Sequence, residues 1–188
     1  MITLRDLVPG DVLAVQRIYS GASVTFTRGH PMTIGEATAY VTTAITQARV
    51  SPRERWCFGV TAADDLVGVI KFRDRGAGHA TLSYILSEDN WGRGYATAAV
   101  RQVIAYTFTA THLDRLSAKH HPDNPASGRV LAKAGFTRTT VFQGRVDGAP
   151  VTYPVYEIHR TRMGCAHTRP ITGGDAPELV GGDSADGG

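Results

Sequence analysis

Apolar and polar positions alternate over Ile2 to Arg5, as in a short strand, and the period then changes. Between Asp11 and Tyr19 the apolar residues Val12, Leu13, Val15, Ile18 and Tyr19 recur at helical spacing. Thr33-Ile34-Gly35-Glu36 has the form of a capping box: the Thr33 side chain can accept from the third helical N–H, and Glu36 can reach back. It opens a second predicted helix, with Ala37, Tyr40, Val41, Ala44, Ile45 and Ala48 on its apolar face, that ends before Pro52. The stretch from Ser23 to Met32, with Phe26, Arg28 and His30, reads as a loop that is either a surface connection or a substrate lid.

Trp56 to Thr61 and Leu66 to Phe72 are rich in β-branched and aromatic residues and flank Ala62-Ala63-Asp64-Asp65, which predicts a hairpin. Ala80 to Leu86 is a third strand, so three antiparallel strands lead into a long helical pattern from about Arg93 to Thr109. Its sheet-facing stripe is Ala96, Ala99, Val100, Val103, Ile104, Thr107 and Phe108. Leu113 to Lys119 is strand-like and runs through His120-His121 to a break at Pro122. Asn124 suits an N-cap, Pro125 a first helical position and Gly135 a residue just past the end, so a short helix lies between them. Phe136 to Gln143 and Val151 to His159 make a last hairpin about Asp147-Gly148, with Pro154 predicting an edge or a bulge.

The chain has 188 residues, 42% hydrophobic and 20% charged, which fits one soluble domain with a sizeable core. That domain is expected over residues 1–162. The segment 163–188 is rich in glycine and acid with little to bury, and is expected to be a disordered tail. Neither a basic segment followed by an apolar one at the start nor a run of about 18 apolar residues is present, so a cytoplasmic protein without a membrane partner is expected. Cys57, in an apolar run, and Cys165, in the tail, form no disulfide framework, and with His167 they are too few for a metal site. From Met163 onward one arginine faces four acids, a balance of −3 against +3 overall, so the body carries +6. That suits an anionic small ligand. The arginines are scattered and not interleaved with aromatics, which argues against a nucleic-acid partner.

The stretch with the clearest chemistry follows the third strand. Trp91-Gly92-Arg93-Gly94-Tyr95-Ala96-Thr97 carries the chain from strand to helix, where unpaired N–H groups and the positive end of the helix dipole converge. Gly92 and Gly94 leave the backbone bare and Arg93 adds charge; the alternative is a plain tight turn.

With the predicted order β α α β β β α β α β β, the chain resembles the GNAT family of N-acetyltransferases, and in particular the branch that includes the acetyltransferases of ribosomal-protein N-termini. The resemblance rests on Leu82 to Val100 and on Asn124 to Phe136, with Asn-x-x-Ser followed by Lys133-Ala134-Gly135-Phe136. It covers about residues 1–160. It implies an α/β (α+β) fold with a mixed, mostly antiparallel, twisted sheet of about seven strands and four helices. It also implies acetyl-CoA as co-substrate, no metal, and a primary amine as acceptor, on a small molecule or at a peptide terminus; dimerisation is left open. By the resemblance, Tyr84, Ile85 and Leu86 offer backbone groups to the pantetheine arm. The pyrophosphate sits on the amides of Gly92, Arg93, Gly94, Tyr95 and Ala96, Trp91 and Thr97 belong to the same cofactor site, and Asn124 and Ser127 face the thiol.

Two departures matter. Leu131 stands where many members have a tyrosine that returns a proton to the thiolate, and Ala98 where the branch often has a glutamate. Ser127 is therefore the candidate acid, with a second helix-capping hydroxyl as the other reading. Acetyl transfer needs a neutral amine, a stabilised oxyanion and a proton for the thiolate. An amine with pKa near ~8 is roughly a tenth neutral at pH 7, but a lysine near ~10.4 is neutral less than about one part in a thousand. No carboxylate lies inside 80–86, which leaves His120, His121 and Glu88 as candidate bases. Strand parity sends His120 toward the helix side with Ala118 and His121 the other way. The shortage of a base favours an α-amine or another amine of low pKa. A non-catalytic acyl-CoA-binding module is the alternative function.

Overall fold

The computed structural model describes residues 1–27, 29–146 and 148–160. The tail expectation, Cys165, His167, Arg28 and Asp147 lie outside them. Along the chain run β1 (Ile2–Asp6), α1 (Val12–Ile18), α2 (Ile34–Ala48), β2 (Arg55–Ala62), β3 (Asp65–Asp74), β4 (His79–Leu86), α3 (Tyr95–Ala110), β5 (Arg115–Lys119), α4 (Pro125–Lys133), β6 (Thr137–Val146) and β7 (Ala149–His159). This is the expected order. The seven strands form one sheet in the order β1-β2-β3-β4-β5-β7-β6, antiparallel except for β4 and β5.

Alternation along the strands gives the sheet two apolar faces. On one, Ile70, Phe72, Ala80, Leu82 and Leu116 pack against Ala99, Val100 and Val103 of α3 and Leu131 of α4. On the other, Leu66, Val69 and Ile85 pack against Val15 and Ile18 of α1 and Ala37, Val41 and Ala44 of α2. Val67 is an extra residue opposite the Val60/Thr61 step, and this bulge resets which face β3 presents. The α2 capping box forms as expected: Glu36 N donates to Thr33 Oγ1 at 3.2 Å, and Thr33 N to Glu36 Oε2 at 2.8 Å. Among the described residues no helix is long and apolar enough to cross a membrane.

The last hairpin departs from expectation. β7 lies inside the sheet between β5 and β6, so Pro154 is not on the outer edge. β5 stops opposite Val155, so from Pro154 back toward the turn β7 has a partner on one side only, and a residue without an N–H is accommodated. The bulge falls on β6, between Arg138 and Thr140.

Candidate active site

β4 and β5 pair only from His79–Arg115 to Leu82–Ala118, whereas β4 stays paired to β3 as far as Leu86. Beyond Leu82 the sheet therefore forks. Ser87 N donates to the Val67 carbonyl at 3.0 Å, which fixes the parity: odd-numbered residues of this stretch bond toward β3, and the main-chain groups of Tyr84 and Leu86 face the fork. Ile85 points its side chain into the α1–α2 core and its carbonyl toward Gly68, so of the three expected backbone contacts it is the one turned away. The Leu86 carbonyl accepts from the Trp91 indole N–H at 3.0 Å.

The strand leads straight into the glycine loop. Gly92 (φ 74°) and Gly94 (φ 77°) are left-handed, and a Cβ at either would meet nothing within 4 Å, so backbone conformation and not crowding calls for glycine here. Gly94 caps α3 without a side-chain hydrogen bond, and the first turn holds no acid. The N–H groups of Tyr95, Ala96 and Thr97 thus open α3 without a side-chain cap, with exposed Arg93 beside them. A cavity of about 290 Å³ flanks the loop, bounded by Ser87, Asn90, Arg93 and Tyr95 among others. Another, about 380 Å³, lies at the opposite end of the sheet around Arg73, Asp74 and Gly76 and holds none of these residues.

Asn124 caps α4 by accepting from Ser127 N at 3.2 Å. The Ser127 hydroxyl does not cap. It lies 2.8 Å from the Tyr84 hydroxyl, which is also 3.1 Å from the Ser127 carbonyl. Burial pushes the Tyr84 phenol up to about 12, although the Ser127 hydrogen bond pulls the other way. Tyr84 is expected from the sequence to contribute through its backbone alone, yet its side chain shares the Leu82 face, a parity that aims it at α4.

The two histidines split as parity demands. His120 Nδ1 is 2.8 Å from the His121 carbonyl, which can only accept, so Nδ1 carries the proton and Nε2 keeps its lone pair in the neutral ring. That Nε2 lies against α4, 2.6 Å from where a Gly128 Cβ would be, and the ring packs on Tyr156 at 5.6 Å. His121 faces the other way, toward Phe26 (5.8 Å) and Tyr153 (5.7 Å). Glu88 is not the free base that the sequence allowed for: its carboxylate accepts from Ala22 N at 2.9 Å. The short 3₁₀ segment Ala22–Phe26 is thereby tied at one end to the loop after β4 and touches His121, just past β5, at the other. It bridges the mouth of the fork.

Residues 1–137 match the family model described as an acetyltransferase (GNAT) domain. The chain belongs to the GNAT acetyltransferase family. Among the relatives of this GNAT chain, the uncharacterized N-acetyltransferase YoaA of Bacillus subtilis (strain 168) is 28% identical over 167 residues, covering 86% of this chain and 94% of YoaA. The [ribosomal protein uS5]-alanine N-acetyltransferase of Escherichia coli (strain K12) is 33% identical over 86 residues, 43% of this chain and 44% of that one. Among solved structures, Mycobacterium smegmatis RimJ in complex with CoA-disulfide superposes with a TM-score of 0.71 at 24% identity, covering 84% of this chain and 81% of the other. RimL, the ribosomal L7/L12 α-N-protein acetyltransferase in complex with coenzyme A, gives 0.75 at 16% identity, covering 84% and 93%. These likenesses bear out the expected fold, and the protein is an N-acetyltransferase.

Proposed function

We propose that this enzyme moves an acetyl group from acetyl-CoA to a primary amine of low pKa, an α-amine above all, by direct attack in a ternary complex. The observation that carries the reading is the fork: a strand edge at Tyr84 and Leu86, free of β5, running into a helix N-terminus that no side chain caps. A pantetheine arm fits such an edge as an added strand, and a pyrophosphate fits the N–H groups of Tyr95, Ala96 and Thr97. Asn124 is spent on capping α4, which leaves Ser127 as the group turned to the thiol.

Loss of the thiolate requires a proton. A serine hydroxyl alone would be left as an alkoxide, a poor outcome at neutral pH. Ser127 backed by Tyr84 avoids this: as the Ser127 O–H passes its proton to sulfur, the Tyr84 O–H turns from the Ser127 carbonyl to Ser127 Oγ and replaces it, and the phenolate recovers a proton from solvent. On the other side of the reaction the tetrahedral adduct gives its N–H proton to water. With Glu88 engaged and His120 turned to α4, no side-chain base is assigned, which is why the acceptor's own pKa matters.

Thiol release from acetyl-CoA, measured across a panel of α-amines, small amines and lysine side chains, tests the reading. The expected result is turnover concentrated on amines of pKa near ~8; a marked lysine preference, or donor binding without turnover on any amine, refutes it. In the same assay Ser127→Ala is expected to lower kcat at least tenfold with little change in the affinity for acetyl-CoA, and Tyr84→Phe to lower kcat less.

A further inference from the structure

Lys119 is the first residue of β5 beyond the last β4–β5 pair, at the crotch of the fork. Ala118 and His120 turn toward α3 and α4, so Lys119 shares with His121 the opposite face, the side roofed by Ala22–Phe26 and walled by the β6–β7 hairpin. With α3 and α4 packed over the other face, this is the side left to an acceptor of a thioester held in the fork. The Lys119 ammonium sits 3.5 Å from the centroid of Phe142 and 4.8 Å from that of Tyr153. The two rings are cross-strand partners 6.1 Å apart, and Phe142 is 47% exposed. They hold the charge in place and take water from one side of it, and burial accordingly lowers the lysine pKa.

Among the described residues no carboxylate lies within ion-pair distance of Lys119. The neighbouring acids are engaged elsewhere: Glu88 with Ala22 N, Asp123 beside His121 at 3.7 Å, and Glu157 between Arg115 at 3.8 Å and His159 at 3.6 Å. A wall whose fixed cation has no carboxylate partner among the described residues repels a second cation brought against it and attracts an anion.

We propose that Lys119, seated on Phe142 and Tyr153, is the specificity-determining residue of the acceptor site and selects an α-amine that carries a carboxylate close by, against polycationic amines. This rests on acetyl transfer at the fork. The carboxylate can belong to an acidic side chain near a peptide N-terminus or to a free amino acid, and the two sources are separable by assay.

The test uses the full chain with acetyl-CoA and four acceptors: two tetrapeptide amides beginning with alanine that differ only in Glu or Lys at positions two and three, free alanine, and spermidine. Expected for the native enzyme is a kcat/KM about tenfold or more higher for the Glu peptide than for the Lys peptide, with spermidine poorest. Lys119→Met should bring the two peptides near parity, and Lys119→Glu should reverse their order, with the thermal melting curve confirming that both variants fold. Free alanine turned over as well as the Glu peptide assigns the carboxylate to an amino acid; poor turnover of alanine assigns it to a side chain. A native enzyme that treats the two peptides alike or favours spermidine, or a Lys119→Glu variant with an unchanged ratio, overturns the inference while leaving acetyl transfer intact. No thiol release with any acceptor overturns acetyl transfer, and this inference with it.

Discussion

Replacing Gly128 with alanine sets two effects against each other. Gly128 is in the first turns of α4, where alanine stabilises a helix by about 0.5–1 kcal/mol relative to glycine. Against this, the new Cβ would lie 2.6 Å from His120 Nε2, 3.2 Å from His120 Cδ2 and 3.1 Å from the Tyr156 hydroxyl. Ordinary contact begins near 3.4 Å, so the ring must retreat by roughly 0.8 Å. His120 is not free to swing, because its Nδ1–H is bonded to the His121 carbonyl and its face rests on Tyr156. Overpacking of this kind costs about 1–3 kcal/mol; its central value of about 2 kcal/mol outweighs the helix gain and leaves a net loss of about 1–1.5 kcal/mol. For a domain of this size that lowers Tm by about 2–6 °C. Differential scanning fluorimetry reads the shift. In a His120→Ala background the larger obstruction is gone and the Tyr156 hydroxyl at 3.1 Å is the contact left, so the same Gly128→Ala change should lower Tm by less than it does in the native protein. A single Gly128→Ala variant that melts higher than the native protein would refute the reasoning, since the imidazole could not then be packed against α4.

Two further outcomes follow from other contacts. A Cβ at Gly68 would meet the Ile85 carbonyl oxygen at 2.6 Å and Leu86 Cγ at 2.8 Å. Because the first obstacle is backbone, Gly68→Ala should destabilise the fold by about 2 kcal/mol or more in denaturant unfolding and raise KM for acetyl-CoA by displacing the end of β4; an unchanged KM would detach Gly68 from donor binding. Burial, and the nearby Arg115 charge, push the His79 pKa below its ordinary value, and His79 Nε2 lies 2.7 Å from Ser117 Oγ. The folded state therefore binds fewer protons: its contribution is complete above about pH 6.5 and is lost as pH falls from there through the folded value. Unfolding titrations at several pH values should show that slope, and His79→Gln should flatten it.

Local signals carried most of the fold. The Thr33–Glu36 box, the Asn124 cap with Pro125 behind it, and the stripe of Ala99, Val100 and Val103 on α3 are each written within a few residues, and each is formed. The placement of β7 between β5 and β6 was not legible, because pairing partners far apart in the chain leave no mark on either strand alone. The site divides in the same way. The glycine loop and the split of His120 from His121 follow from spacing and parity. Glu88 reaching Ala22, and Phe26 meeting His121, join segments about 66 and 95 residues apart, which no local rule can anticipate. Lys119 looked like an unremarkable strand residue until the hairpin supplied its rings.

The fork has a consequence for the chain as a physical object. Its two groups of strands, β1 to β4 and β5 to β7, are laced together by only four residue pairs. A donor arm lying between Tyr84, Leu86 and the far side would act as a clasp, adding main-chain bonds where the sheet lacks them. Ligand at a hundred times its Kd contributes about 2.7 kcal/mol to folding, a large share of the margin that keeps a domain of this size intact. Without a donor the folded state would lack that increment, and its melting temperature would rise with acetyl-CoA concentration.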